Sequence, residues 1–253
     1  MNSFAIGLVS SAAIFSGALL GMRLQRLLPG HHLNKEMQDL VKVSAGTIAT
    51  LTALVLGLLV SSAKSSFDTV NSGIVQASAK SILLDRALAR YGPDAKAARE
   101  QLKRAVAMSI ALAWPKEKTG VPAVTALEGA TGSELLQDKL GELAPQNDRQ
   151  RQVLAQALQL ANDVGQTRWL LIEQAQSQLP LPLLVILIFW LVLLFASFGL
   201  YAPRNATAVT VLLIGACAIS ASIFLVLELN RPLDGLIKVS NAPLLNALGH
   251  LGE

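Results

Sequence analysis

The sequence lacks most of the residues and motifs on which enzyme and metal sites depend. Its one cysteine, Cys217, excludes a disulfide framework within one chain. The histidines are His31, His32 and His250, and the adjacent pair lacks metal-ligand spacing, so we interpret it as a solvated polar patch. There is no P-loop, no dinucleotide-binding glycine motif, no nucleophile elbow and no zinc-protease motif. These absences predict a protein that is not an enzyme and that uses no cofactor or metal.

Charge is also scarce, and it is unevenly placed. Charged residues make up 15% of the chain, against about 25% in ordinary soluble domains. The net charge of +4 is dispersed, and without a basic block it predicts no nucleic-acid partner. Four runs contain no charged residue, at 4–22, 43–63, 179–203 and 205–227. Each run is close to the length of about 20 residues that crosses a bilayer as a helix.

These runs predict an all-α, polytopic membrane protein with four transmembrane helices and a helical insert between helices two and three. The predicted domains are a first transmembrane hairpin (1–63), an extramembrane insert (64–178), a second transmembrane hairpin (179–229) and a C-terminal tail (230–253). With four spans, both termini and the insert share one side of the membrane. Lys and Arg residues near the span ends are balanced between the two sides, so the positive-inside rule does not choose an orientation.

The insert is predicted to be helical throughout. Span two has no strong helix breaker before Gly92, so its helix is expected to continue into the insert to about Tyr91. The segment Pro115–Ala130 is expected to be a loop, because Thr131 and Glu134 match a capping box at the start of the next helix. The insert is poor in large apolar residues, so we expect it to have no core of its own.

Span two carries small and weakly polar residues along one face, here called the small stripe. Its members recur three or four positions apart: Gly46, Thr50, Ala53, Gly57 and Ser61. At 100° per residue, they and the next charged residues cover about 80° of the helix. Two interpretations are open. The stripe could allow close helix packing, or it could line a water-filled pore. The stripe alone favours packing.

A charged group, here called the charged mouth, lies where spans two and four end. It consists of Lys64, Asp68, Glu228 and Arg231, and the first two continue the small stripe. Glu228 follows a long apolar segment, where an acid is unfavourable unless it is paired or close to water. One interpretation is a pair between Lys64 and Glu228 across the two helices. The other is that each side chain extends separately toward the interface.

Four segments of the chain resemble the bestrophin-like domain family of bacterial multi-pass membrane proteins. They are LTALVLGLLVSSAKSSFD (51–68), LLDRALARYGPDA (83–95), FASFGLYAPRNATAV (195–209) and FLVLELNRPLDGLIKVSNAPL (224–244). The resemblance covers the chain from about residue 40 to its end. The family name implies kinship with bestrophins, which are pentameric anion channels with four spans per subunit and a pore lined by the second span.

The resemblance therefore implies a homo-oligomer, with a pentamer as the expected assembly, in which span two lines a pore for small ions, anions among them. It implies a bacterial inner-membrane protein, embedded in the lipid bilayer, with the insert and both termini in the cytosol. Span two has no Phe before Phe67, so the aromatic neck of bestrophin pores has no match, and neither has a calcium-binding carboxylate cluster. The alternative function is a non-conducting membrane scaffold or sensor whose helical insert binds a protein partner.

Overall fold

The computed structural model describes residues 3–29, 34–114, 126–176 and 181–252. This part of the chain is helical, and no strand occurs in it, so the all-α prediction is confirmed. The α-helices are α1 (Ser3–Leu27), α2 (Lys35–Tyr91), α3 (Lys96–Ala113), α4 (Ala126–Gly141), α5 (Asp148–Gln176), α6 (Leu181–Tyr201), α7 (Ala206–Leu229) and α8 (Ala242–His250).

The chain divides into two compact units. The membrane unit comprises Met1–Ser66 and Gln178–Asn230, and the insert unit comprises Phe67–Ser177 and Arg231–Glu253. Among the described residues, four helices are long and apolar enough to cross a membrane, namely α1, α2, α6 and α7, which agrees with the four predicted spans. The helices α1, α2 and α7 continue past the ends of their uncharged runs, because a charged residue marks the edge of the apolar segment and does not end a helix, whereas α6 lies within its run.

Glycines hold α1 closely against its neighbours in the membrane unit. A Cβ atom at Gly17, Gly21 or Gly199 would approach a carbonyl oxygen of the facing helix to less than 3.0 Å, so α1 and α6 pack backbone to backbone there. Gly7 of α1 lies similarly against α7, where a Cβ atom added to Gly7 would be 3.3 Å from the Cβ atom of Phe224. Small residues permit this approach between membrane helices, where dispersion contacts and not water exclusion drive packing.

The second span is one uninterrupted helix. α2 contains 57 residues, so at 1.5 Å per residue it is about 85 Å long. It ends before Gly92, whose φ of 120° is a conformation that residues with a side chain rarely adopt. Pro93 then opens a short 3-10 helix that leads into α3. The prediction that span two continues to Tyr91 is confirmed.

The insert unit has a hydrophobic core, so the expectation that it lacks one is wrong. α2, α3, α4 and α5 each contribute to this core. Most of its buried residues are large, but alanines also contribute: Ala87, Ala95, Ala98 and Ala157 are each at most 1% exposed. The alanine contacts let the helices approach closely, and leucine, isoleucine, valine and aromatic side chains fill most of the space between them. A low content of large apolar residues therefore concealed a packed core.

The C-terminal residues from Arg231 belong to the insert unit and include a helix that the sequence reasoning did not predict. This helix, α8, buries Leu244 and Ala247. Just before it, the carbonyl oxygen of Val239 accepts a hydrogen bond from the indole N–H of Trp114 at 3.0 Å. The segment treated as a tail thus supplies part of the core.

α4 begins at Ala126, inside the predicted loop Pro115–Ala130. The first part of that loop, 115–125, lies outside the described residues. Thr131 is in the helix and not at its start, so the capping-box prediction is wrong. Most residues after Ala126 are good helix formers, and nothing in the capping motif prevents a helix from running through it. Gly132 lies against α3, which gives this stretch a packing partner.

Candidate functional site

Within the membrane unit, the described part of α2 is the span that the chain covers least. In its most apolar stretch of 18 residues, 17% of the residues are buried, whereas the corresponding share is 33% for α1 and α6 and 22% for α7. Its buried residues include Ala45, Thr52 and Leu59, which recur every seven positions. Such spacing makes one narrow seam along a helix. Most of the circumference of this span is therefore exposed.

The small stripe lies on this exposed surface. All five of its residues are exposed. At 100° per residue, the stripe is about 140° around the helix from the buried seam. Within the part of the chain that the structure describes, a Cβ atom added at Gly46 or Gly57 would have no heavy atom within 4 Å. Unlike the glycines of α1, these two pack against no other helix among the described residues. Packing between subunits and pore lining are the interpretations that remain.

The stripe differs chemically from the rest of the exposed surface of α2. At 100° per residue, Leu51, Leu54 and Leu58 form an apolar face about 90° beyond the stripe. Their side chains are 44%, 60% and 63% exposed. On the stripe, Thr50 Oγ1 donates to the carbonyl oxygen of Gly46 at 2.9 Å. Its own oxygen can then accept a hydrogen bond from water, which makes the stripe weakly polar.

The charged mouth combines exposed and buried groups. Lys64 and Asp68 are exposed on α2, one turn apart, and Arg231 is also exposed. Glu228, near the end of α7, is only 4% exposed. Burying an ionised carboxylate is costly unless its charge is compensated, so Glu228 is the member whose environment matters most. The pair between Lys64 and Glu228 stays a prediction.

Among the described residues, no group of three or more His, Cys, Asp or Glu side chains could hold a metal ion. His31 and His32 lie outside the described residues.

A buried ion pair in the insert unit was not among the predicted site residues. Arg99 donates from Nε and Nη2 to the two carboxylate oxygens of Asp85, both at 2.8 Å. The hydrogen bond to Asp85 raises the pKa of Arg99, although burial acts in the opposite direction. Asp85 is 1% exposed and directly follows Leu84, which is fully buried. An acid at a core position of an amphipathic helix was the signal that could have revealed it.

Comparison of the sequence with known protein families agrees with this architecture. Residues 12–244 match the model of the Bestrophin-like domain. The chain belongs to the Bestrophin-like family. No functionally curated protein matches this Bestrophin-like chain.

Solved structures of low sequence identity share the fold. Two are crystal structures of a bacterial Bestrophin homologue from Klebsiella pneumoniae, each with one substitution, with TM-scores of 0.63 and 0.61. The first is 14% identical to this chain, and the alignment covers 95% of this chain and 99% of that one. The second is 15% identical, and the alignment covers 96% of this chain and 97% of that one. This likeness establishes the fold of the Bestrophin-like chain over nearly its whole length. Family membership and the four helices long and apolar enough to cross a membrane, found among the described residues, make it an integral membrane protein.

Proposed function

We propose that this protein assembles as a homo-oligomer in the membrane and forms a pore for small ions, with the small stripe of α2 facing the axis. The observation that carries the proposal is the exposure of that stripe. It lies on the span least covered by its own chain, and Gly46 and Gly57 have open space beside them. A pore needs a face that is small, weakly polar and uncovered within each subunit. Membership of a family named after bestrophins supports the same assignment.

The chemistry of the two exposed faces of α2 favours this arrangement. The leucine face suits lipid tails or the apolar side of a neighbouring helix. The stripe offers lipid little apolar surface, because glycine, alanine and serine side chains are short. It does offer room for water and the hydroxyl oxygens of Thr50 and Ser61. Placing the stripe on a water-filled axis and the leucines away from it satisfies both faces.

Further features of the proposal follow from kinship with bestrophins. We take the assembly to be a pentamer in a bacterial inner membrane, with the insert and both termini in the cytosol and anions among the ions conducted. Lys64 and Asp68 continue the stripe and add one charge of each sign per subunit, so they give a ring of subunits no net charge. Because span two has no Phe before Phe67, selectivity in this pore does not rely on an aromatic neck.

The first experiment measures assembly and conduction in one preparation. The mass of the detergent-purified protein is measured by native mass spectrometry, and the same sample is reconstituted into liposomes loaded with chloride or potassium. We expect a closed ring of subunits and ion flux above that of empty liposomes. A monomer or a simple dimer without flux would contradict the pore and would support the alternative function, a non-conducting scaffold or sensor.

The second experiment tests which face of α2 meets water. Single cysteines are introduced on a Cys217→Ala background and treated with a water-soluble, membrane-impermeant thiol reagent. Thr50→Cys and Gly57→Cys should react, and the reaction should reduce ion flux. Leu54→Cys and Leu58→Cys are the matched controls on the same two turns, and they should react slowly. Equal reaction at all four positions would contradict the assignment of the stripe to the axis.

A further inference from the structure

The insert unit contains a cavity of about 350 Å³. Residues of α2, α3, α4, α5 and the C-terminal segment line it, and all of them belong to this one unit. Apolar side chains form most of its wall, among them Ile74, Leu102, Val106 and Leu171. The volume falls within the range of roughly 300–1,000 Å³ that is typical of small-molecule sites. An apolar chain could therefore occupy a space that the core of this unit leaves unfilled.

Most polar groups on the wall already make hydrogen bonds within the protein. Ser81 and Ser109 each donate from Oγ to the carbonyl oxygen four residues earlier, at 2.8 Å. The indole N–H of Trp114 donates to a backbone carbonyl at 3.0 Å. Arg168 is the charged residue among those described as lining the cavity. The wall is thus apolar, with a guanidinium at one place.

The surroundings of Arg168 favour an additional anion. Arg168 lies half-buried on α5, and burial lowers the pKa of its guanidinium, while the negative charge of Glu134 acts in the opposite direction and is outweighed. A guanidinium has five N–H donors in a planar fork, so it can bind a carboxylate in addition to the neighbours it already has. Such charge-assisted, two-point hydrogen bonds are among the stronger ones in proteins.

We propose that this cavity binds a free fatty acid of medium chain length, with its acyl chain against the apolar wall and its carboxylate on Arg168. At about 30 Å³ for each water-sized group, the cavity holds roughly a dozen non-hydrogen atoms, which is about the size of decanoate. A phospholipid with two acyl chains is several times too large. The proposal concerns the insert unit alone and does not depend on the pore.

The test measures the binding of radiolabelled decanoate to the full-length protein in phosphatidylcholine nanodiscs, with uptake by empty nanodiscs subtracted. We expect saturable binding of one decanoate per chain. Unlabelled decanol and decyltrimethylammonium have the same chain without the negative charge, and they should compete at least about tenfold more weakly, since neither offers a carboxylate for a charge-assisted, two-point hydrogen bond. This comparison uses the unmodified protein, so it does not depend on how any variant folds.

Three variants locate the site. Arg168→Gln should weaken decanoate binding by roughly 10- to 100-fold, because it removes the charged donor. Arg149→Gln, an exposed arginine on the same helix, should bind like the parent. Gly165→Leu should abolish binding, because its four added carbons would occupy roughly a third of a volume that decanoate needs in full. Gly165 lines the cavity, and no atom of the described residues lies within 4 Å of a Cβ added there. Circular dichroism and gel filtration confirm that each variant is folded.

Uptake no greater than that of empty nanodiscs would overturn the proposal. Competition by decanol as strong as that by decanoate would overturn the assignment of the carboxylate, as would parent-like binding by folded Arg168→Gln. Phosphatidylglycerol in the nanodisc could displace the labelled decanoate at a concentration at which unlabelled decanoate does not. That result would identify a lipid as the ligand and would also overturn the proposal.

Discussion

Replacing Asp85 by asparagine should destabilise the insert unit far more than the same change at an exposed acid. Asp85 lies on α2 and is 1% exposed, whereas its partner on α3, Arg99, is 20% exposed. Besides the two hydrogen bonds from Arg99, the carboxylate accepts a longer one from the backbone N–H of Gly252, at 3.4 Å. Asp85→Asn keeps the shape of the side chain, removes its charge and turns one acceptor into a donor that faces the guanidinium.

The size of the effect follows from the burial of the two partners. Breaking a buried ion pair by removing one charge typically costs about 3–5 kcal/mol. Arg99 keeps some contact with water, and asparagine keeps one acceptor, so we place this case below that range, at about 2–3 kcal/mol. Since about 1.4 kcal/mol corresponds to a factor of ten, the unit should open roughly 30- to 150-fold more often.

Hydrogen–deuterium exchange of the full-length protein measures this opening. Peptides from α3 and from the insert part of α2 should exchange faster by the stated factor in Asp85→Asn. Glu100→Gln is the matched control, because Glu100 lies on α3 in a pair with Arg104 at 3.8 Å, and both side chains are more than half exposed. Such a pair contributes at most about 1 kcal/mol. If the two variants exchange at the same rate, the buried pair does not stabilise the unit as reasoned.

Three further predictions concern the membrane unit. Gly21→Ala should lower the free energy of unfolding of the detergent-solubilised protein by about 1–3 kcal/mol through overpacking against α6, as measured by thermal denaturation. Gly57→Ala should leave it unchanged, and equal effects would contradict the different surroundings of the two glycines. Asn205→Ala removes an N-cap hydrogen bond of 2.8 Å and should cost about 1 kcal/mol, measured as faster amide exchange in the first turn of α7. Glu228→Gln should reduce ion flux or assembly several-fold, whereas Glu173→Gln, at an exposed position, should behave like the parent. If flux and assembly are parent-like in both variants, the residues of the charged mouth are only separate interfacial side chains.

The spans and the long second helix could be predicted from the sequence because each depends on a local property. A run of about 20 residues without charge is sufficient evidence for a membrane segment, since in hydrocarbon the backbone must satisfy its own hydrogen bonds. Gly92 followed by Pro93 is likewise a local signal, and it ended α2 where expected. The start of α4 was missed because a capping motif has two possible outcomes. It caps a helix only when the preceding residues do not continue it.

The core of the insert unit could not be predicted because it depends on contacts between distant parts of the chain. Ala87 and Ala157 are both fully buried in it, although seventy positions separate them. Val239 and Leu251 complete that core from a segment that follows the last span. Neither alanine content nor helical periodicity distinguishes a helix that packs on its neighbours from one that is solvated on all sides.

The small stripe and the glycines of α1 illustrate the limit that matters most for function. Gly17 and Gly21 lie four residues apart in an apolar helix, as do Ala53 and Gly57, so the two patterns are equivalent in the sequence. In the folded chain, α6 fills the space beside the first pair, whereas no atom of the described residues lies within 4 Å of a Cβ added at Gly57. A groove of small residues that faced lipid would forfeit the close dispersion contacts that make such grooves favourable in membranes. We therefore expect the stripe to have an occupant from outside its own chain, either a second subunit in direct contact or water along an axis. In a dry contact between glycines, the hydroxyl groups of Thr50 and Ser61 would have no water to bond, whereas beside a water-filled axis they would. This difference is the reason to place the stripe on the axis.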